Sequence, residues 1–105
     1  MDPKALYQLK SDFQILDLRE DHKWAAGGIA GAHHIPLGEL ATRLDEVDRR
    51  RPVVTVCRSG NRSGKAARQL NKCGLHAHNL DGGLRAWVAA GLTVTTPHGG
   101  PGQVA

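Results

Sequence analysis

Val53-Val54-Thr55-Val56-Cys57-Arg58-Ser59-Gly60-Asn61-Arg62-Ser63 passes from a continuous apolar run into a short loop carrying two arginines, and its reading decides the fold. Val53 to Val56 are all β-branched, the pattern of a parallel strand covered on both faces. Cys57 stands at the carboxyl end of that strand. In open α/β sheets the ligand crevice lies outside the carboxyl ends of the strands, so a thiol here is placed to meet a substrate. Gly60 can take backbone angles closed to other residues, which lets successive N–H groups turn inward as an anion-binding nest.

The residues that follow predict a helix whose start faces this loop. From Ser63 to Cys73, a stripe of Ala66, Ala67, Leu70 and Cys73 recurs at helical spacing, and Gly74 supplies the C-terminal stop. A helix start behaves like roughly half a positive charge. Together with Arg58 and Arg62 it is expected to lower the Cys57 pKa and to favour an anionic substrate. Cys73 lies at the far end of the helix, roughly 10–15 Å away at 1.5 Å of rise per residue, and reads as a packed core thiol.

At these residues the chain resembles the rhodanese family of sulfurtransferases, whose active-site loop reads Cys-Arg-x-Gly-x-Arg-Ser/Thr and matches Cys57 to Ser63 throughout. The likeness extends through Asp17-Leu18-Arg19-Glu20, Gly31-Ala32-His33-His34-Ile35-Pro36-Leu37 and Asp81-Gly82-Gly83-Leu84-Arg85-Ala86-Trp87, and covers Pro3 to Thr95. Two departures are visible: many relatives have His where Gly28 stands, and an apolar or small residue where His33 stands. The resemblance implies a single-domain rhodanese-like fold with five strands and a double-displacement sulfur transfer through a Cys57 persulfide. The donor would be thiosulfate or a related small anion, and the acceptor cyanide or a thiol, with a protein acceptor as a further partner. Cys57 would be the catalytic residue and Arg58, Ser59, Gly60, Asn61, Arg62 and Ser63 the substrate-binding set. Within that set, the N–H groups and the Ser59 and Ser63 hydroxyls would hold the persulfide, and the arginines the donor's oxyanion. The resemblance implies no cofactor and no metal, and a structural role for Asp17 and Arg19.

Two other classes share this cysteine. A Cys-dependent phosphatase or arsenate reductase on the same fold uses a loop one residue longer that ends in Arg, whereas here the fifth residue after Cys57 is Arg62 and the sixth is Ser63. A persulfide carrier acting with a partner protein would keep the same loop.

Composition bounds the rest. With 105 residues the chain is long enough for one domain with a core and too short for two such units. Fourteen Lys and Arg against ten Asp and Glu give a formal charge of +4, suited to small anions but too mild and dispersed to argue for nucleic acid. Aromatic residues make up 4%, which disfavours base stacking. Two cysteines make no disulfide framework, and no stretch reaches the length of a membrane span or forms a signal-peptide core. The expectation is a cytoplasmic protein without membrane partners.

In chain order, Asp2-Pro3 predicts an N-cap and first helical residue, with Leu6 and Leu9 as the apolar side of a short helix. Phe13 to Leu18 reads as the first strand, Glu20 to Ala26 as a helix carrying Trp24 inward, and Ala32 to Ile35 as the second strand. Leu37, Leu40, Leu44 and Val47 predict an amphipathic helix over 37–47, and Arg49-Arg50-Arg51 a solvated turn. Leu75 to Leu80 reads as the fourth strand, Asp81-Gly82-Gly83 as the opening of a helix with Leu84, Trp87 and Val88 on one stripe, and Leu92 to Thr95 as a last edge strand. His33-His34 and His76-x-His78 lack zinc-ligand spacing. Residues 1–96 are expected to form one domain and 97–105 a flexible tail. The alternation of strand and helix signals means an α/β fold, a parallel twisted sheet of four to five strands with helices on both faces.

Overall fold

The computed structural model describes Met1–Ala105. Its centre is the β-branched run Val53–Val56 (β3), every residue of which is buried, because the strand has neighbours on both edges and layers on both faces. Gln14–Asp17 (β1) pairs with it on one side and Ala77–Asn79 (β4) on the other, and His33–His34 (β2) pairs with the outer edge of β1. All these pairings are parallel, and the sheet order is β2-β1-β3-β4. The chain runs outward from β1 to β2 and then returns to the opposite side of β1. The strand order therefore reverses between β1 and β3, which opens a crevice at their carboxyl ends.

The period-two alternation of the strands separates two cores. Leu16 and Val53 face one layer with Leu18, Ile35, Ala66, Ala67 and Leu70, while Ile15, Val54 and Val56 face the other with Leu6, Ile29, Leu84 and Trp87. The first layer is covered by Asn61–Lys72 (α3), and the second by Pro3–Leu9 (α1) and Gly83–Ala89 (α4). Asp21–Ala26 (α2) follows β1. The α1 start is as read: Asp2 Oδ1 accepts from the Lys4 and Ala5 amides at 3.0 and 3.1 Å, and Pro3 begins the helix. The α3 stop is also as read, with Gly74 at φ +89° and the Leu75 amide donating back to the Leu70 carbonyl at 3.1 Å.

Several expectations are corrected. Residues 37–47 form two 3-10 segments, Leu37–Thr42 and Leu44–Glu46, in place of one α-helix. Apolar spacings of three and four residues fit either i+3 or i+4 bonding, and Gly38 beside Pro36 weakens the longer form. There is no fifth strand: Thr95 makes only isolated antiparallel bridges, to Gly28 and to Pro101, so the sheet has four strands. Cys73 is exposed: as the C-cap after Lys72 it sits at the open end of a surface groove beside Ala66 and Leu70, where the cover over Leu70 no longer reaches. Leu9 and Val88 are exposed too, and Trp24 is only partly buried, stacked on His34 with ring centroids 4.9 Å apart.

The arginine turn does more than solvate. Arg49 donates to the Cys73 carbonyl at 2.9 Å, and Arg51 to the Ser11 and Phe13 carbonyls at 3.2 and 3.1 Å, fastening neighbouring segments. Residues after Pro97 fold back, with the Gly102 amide donating to the Val94 carbonyl at 3.1 Å and the Gln103 amide to the Ala26 carbonyl at 2.8 Å. No helix is long and apolar enough to cross a membrane.

Candidate active site

Cys57 leaves the end of β3 directly into a turn whose carbonyls are held from outside. The first amides of α4 do this: Leu84 N–H donates to the Cys57 carbonyl at 2.9 Å and Arg85 N–H to the Arg58 carbonyl at 3.0 Å. With its carbonyls engaged there, the loop turns amides the other way, toward the sulfur. Gly83 permits this approach, since a Cβ at that position would lie 2.5 Å from both carbonyl oxygens. Gly60, at φ +94°, then closes the turn and serves as N-cap of α3.

The result is a ring of donors around Cys57 Sγ. Gly60 N–H lies at 3.1 Å, Ser63 N–H at 3.5 Å and Ser63 Oγ–H at 3.1 Å. Cys57 is 7% exposed and Ser63 is fully buried. Burial pushes the thiol pKa up; the Ser63 hydroxyl, then the Ser63, Gly60 and Ser59 amides, outweigh it and hold Cys57 below the usual thiol range. The two arginines, expected to contribute to this shift together with the amide nest and the helix start, stand exposed at the rim, and the largest lowering contribution is the Ser63 hydroxyl. Hydrogen bonds made directly to a buried sulfur are screened less than solvent-exposed charges.

Above the sulfur opens a cavity of about 450 Å³. Cys57, Arg58, Ser59, Asn61 and Arg62 line one wall, so those predicted residues meet at one place. Gly60 and Ser63 lie beneath, against the sulfur, and do not line the cavity. The opposite wall is Leu18, Arg19, Glu20 and Lys23 from the end of β1 and α2, with Pro36, Leu37 and Gly38 beyond them. This wall was not read from sequence; the signal for it was the strand reversal beside β1. Arg58 and Arg62 have no carboxylate within ion-pair distance, which leaves their guanidiniums available to an anion.

Arg19 is committed otherwise. Its Nε and Nη2 meet Asp17 at 2.9 and 2.7 Å, and Nη2 also donates to the Gly27 carbonyl at 2.7 Å, all within the buried interior. A Cβ at Gly28 would lie 2.9 Å from that guanidinium, so the glycine leaves space for the ion pair. Among the histidines, His33 meets Glu46 at 2.9 Å and His34 Nε2 meets the Arg19 carbonyl at 2.7 Å. Neither lines the cavity.

Also missed in the sequence is Asn79, at the end of β4. Its Nδ2 donates to the Gly60 carbonyl at 3.0 Å, and its Oδ1 lies 2.5 Å from Ser63 Oγ. Thr55, from β3, donates to the Ser63 carbonyl at 2.8 Å. The sulfur-binding ring is thus clamped by two strands.

Residues 2–90 match the family model described as a rhodanese-like domain. The chain is 40% identical over 75 residues to the uncharacterized protein YqhL of Bacillus subtilis, covering 70% of this chain and 60% of that protein. It is 33% identical over 87 residues to the thiosulfate sulfurtransferase GlpE of Pseudomonas aeruginosa, covering 81% of this chain and 79% of the relative. The crystal structure of a rhodanese-related protein from Thermoplasma volcanium superposes with a TM-score of 0.87 at 29% identity, over 90% of this chain and 95% of that one. With a four-stranded parallel sheet, a cysteine-centred loop at its switch point and these matches, the chain belongs to the rhodanese-like domain family and is related to sulfurtransferases.

Proposed function

We propose that this protein is a thiosulfate sulfurtransferase that works through a persulfide on Cys57. The observation that carries the reading is the convergence of the Gly60 amide, the Ser63 amide and the Ser63 hydroxyl on Cys57 Sγ, beneath a cavity whose rim holds two unpaired guanidiniums. Such a ring stabilises negative charge on sulfur before any substrate arrives.

In the first step the Cys57 thiolate attacks the sulfane sulfur of thiosulfate. The new bond joins Cys57 Sγ to that sulfur, the sulfur–sulfur bond of thiosulfate breaks, and sulfite leaves with the electron pair. Arg58 and Arg62 hold the sulfonate oxygens through charge-assisted hydrogen bonds, and Ser59 and Asn61 complete that wall. In the second step cyanide or a thiolate attacks the outer sulfur, leaves as thiocyanate or a new persulfide, and returns Cys57 as thiolate. Both steps balance with donor and acceptor alone. The small ring, ending in Ser63 at the sixth place after Cys57, suits one added sulfur better than the three equatorial oxygens of a phosphoryl group.

Steady-state kinetics with thiosulfate and cyanide test the proposal. Parallel reciprocal plots are expected, the pattern of a first product, sulfite, released before the second substrate binds while the covalent intermediate stays on the enzyme. Cys57-dependent hydrolysis of an aryl phosphate, with no thiocyanate formed, would overturn it.

A further inference from the structure

Ser63 has one hydroxyl proton and two acceptors within reach, Cys57 Sγ at 3.1 Å and Asn79 Oδ1 at 2.5 Å. It cannot donate to both at once. The direction of the Asn79 amide is set independently, because its NH2 end donates to the Gly60 carbonyl at 3.0 Å. Reversing the amide would bring two oxygens together there. Asn79 can therefore only accept from Ser63. Nor does Thr55 satisfy that oxygen: its hydroxyl lies 2.8 Å from the Ser63 carbonyl and 3.5 Å from Asn79 Oδ1. Space for the amide is kept by Gly64, inside α3, where a Cβ would sit 3.3 Å from Asn79 Nδ2. A glycine within a helix costs about 1 kcal/mol relative to alanine.

We propose that Asn79 is a positioning residue for sulfur transfer, a resting acceptor that takes the Ser63 hydroxyl when Cys57 Sγ is neutral and yields it when Sγ is charged. The proposal rests on Cys57 being the nucleophile of the reaction described above. In the thiol, the Cys57 S–H points to Ser63 Oγ and the Ser63 O–H to Asn79. When the thiolate forms, the hydroxyl turns to the sulfur. In the persulfide the charge sits on the outer sulfur and Sγ is neutral again, so the hydroxyl returns to Asn79. Without Asn79, the hydroxyl would have no buried acceptor to return to as the thiolate is consumed.

Competition between Asn79 and the thiolate for one proton gives the proposal a measurable sign. The charged groups facing Cys57 are Arg58 from the loop, Arg62 from the first turn of α3, and Arg19, Glu20 and Lys23 across the cavity; α4 carries Arg85, which is exposed. All stay unchanged in the test. Thiolate absorbance is titrated in the native protein, Asn79→Ala, Ser63→Ala and the double variant. Removing Asn79 should lower the Cys57 midpoint, with a roughly threefold to tenfold gain in thiolate, the scale of one hydrogen bond. The same substitution should leave the midpoint unchanged when Ser63→Ala is already present. A role confined to clamping the Gly60 carbonyl would move both backgrounds equally. That result, or no fall in the native background, overturns the proposal.

A second measurement needs no change at Asn79 and so survives a misfolded variant. The side-chain carbonyl carbon resonance of Asn79 should shift through the Cys57 titration in the native protein and lose most of that shift in Ser63→Ala. A resonance equally responsive in both proteins, or flat in both, contradicts the relay. No thiosulfate enters either titration, so failure of sulfur transfer and failure of the relay are seen separately.

Discussion

The two ends of α3 carry the two cysteines of the chain under opposite conditions. Before its first turn, Cys57 is buried and surrounded by donors; at its last, Cys73 is exposed and acts as a C-cap whose carbonyl accepts from Arg49. The difference teaches that accessibility is not what prepares a thiol for chemistry. Cys73 has the greater access to solvent. Cys57 has inward amides, a buried hydroxyl and a cavity with unpaired cations, and the helix start rather than the helix end.

The largest effect should come from removing the prepared thiol. Cys57→Ser is expected to reduce thiosulfate-to-cyanide transfer by about a thousandfold or more, the scale of losing a nucleophile. Residual turnover near the native rate would break the comparison at once. Next in size are the cations of the rim. Arg58→Ala or Arg62→Ala should raise the KM for thiosulfate roughly tenfold to a hundredfold, since a charge-assisted contact contributes about 1.5–3 kcal/mol. An unchanged KM in both variants would put the donor elsewhere.

A smaller effect concerns pH. A lowered thiol pKa means that thiolate is present at lower pH, so the rate should reach half its plateau below the ordinary thiol value of about 8.5. Ser63→Ala removes the strongest lowering contact and should move that half-point upward. A rate that rises only through the ordinary value in the native protein would show that the ring does not activate the sulfur. The smallest effect belongs to the other end of the helix. Cys73→Ser should keep most of the activity and change stability by within about 0.5 kcal/mol, as expected of an exposed site. A steep loss of activity with the fold intact would mean that both thiols take part.

Much of this contrast was legible in the sequence, and for physical reasons. The Cys57 ring is built largely from contiguous residues, so its glycine, its serine and the helix behind it could be read along the chain. β3 was legible because a strand covered on both faces must be apolar throughout. What escaped depends on three-dimensional neighbours. Asn79 reaches Ser63 only because β4 pairs with β3, and no spacing within the chain announces that contact. The wall formed by Glu20, Lys23 and Leu37 faces Cys57 because the strand order reverses between β1 and β3. Cys73 was misread because it lies beside Ala66 and Leu70 at the end of the stripe, yet just past the last helical residue, where spacing cannot show that the covering layer has run out. The amide part of the lowering was legible in the loop, whereas the leading place of the Ser63 hydroxyl over the exposed Arg58 and Arg62 was not, because sequence shows charge while burial and contact decide its influence.

The most direct test of the contrast is mass spectrometry of the intact protein and its peptides after incubation with thiosulfate in the absence of an acceptor. Cys57 should gain one sulfur atom, Cys73 none, and the added sulfur should be lost when cyanide is supplied. A protein that gains no sulfur at Cys57, or carries it at Cys73 instead, would contradict the account.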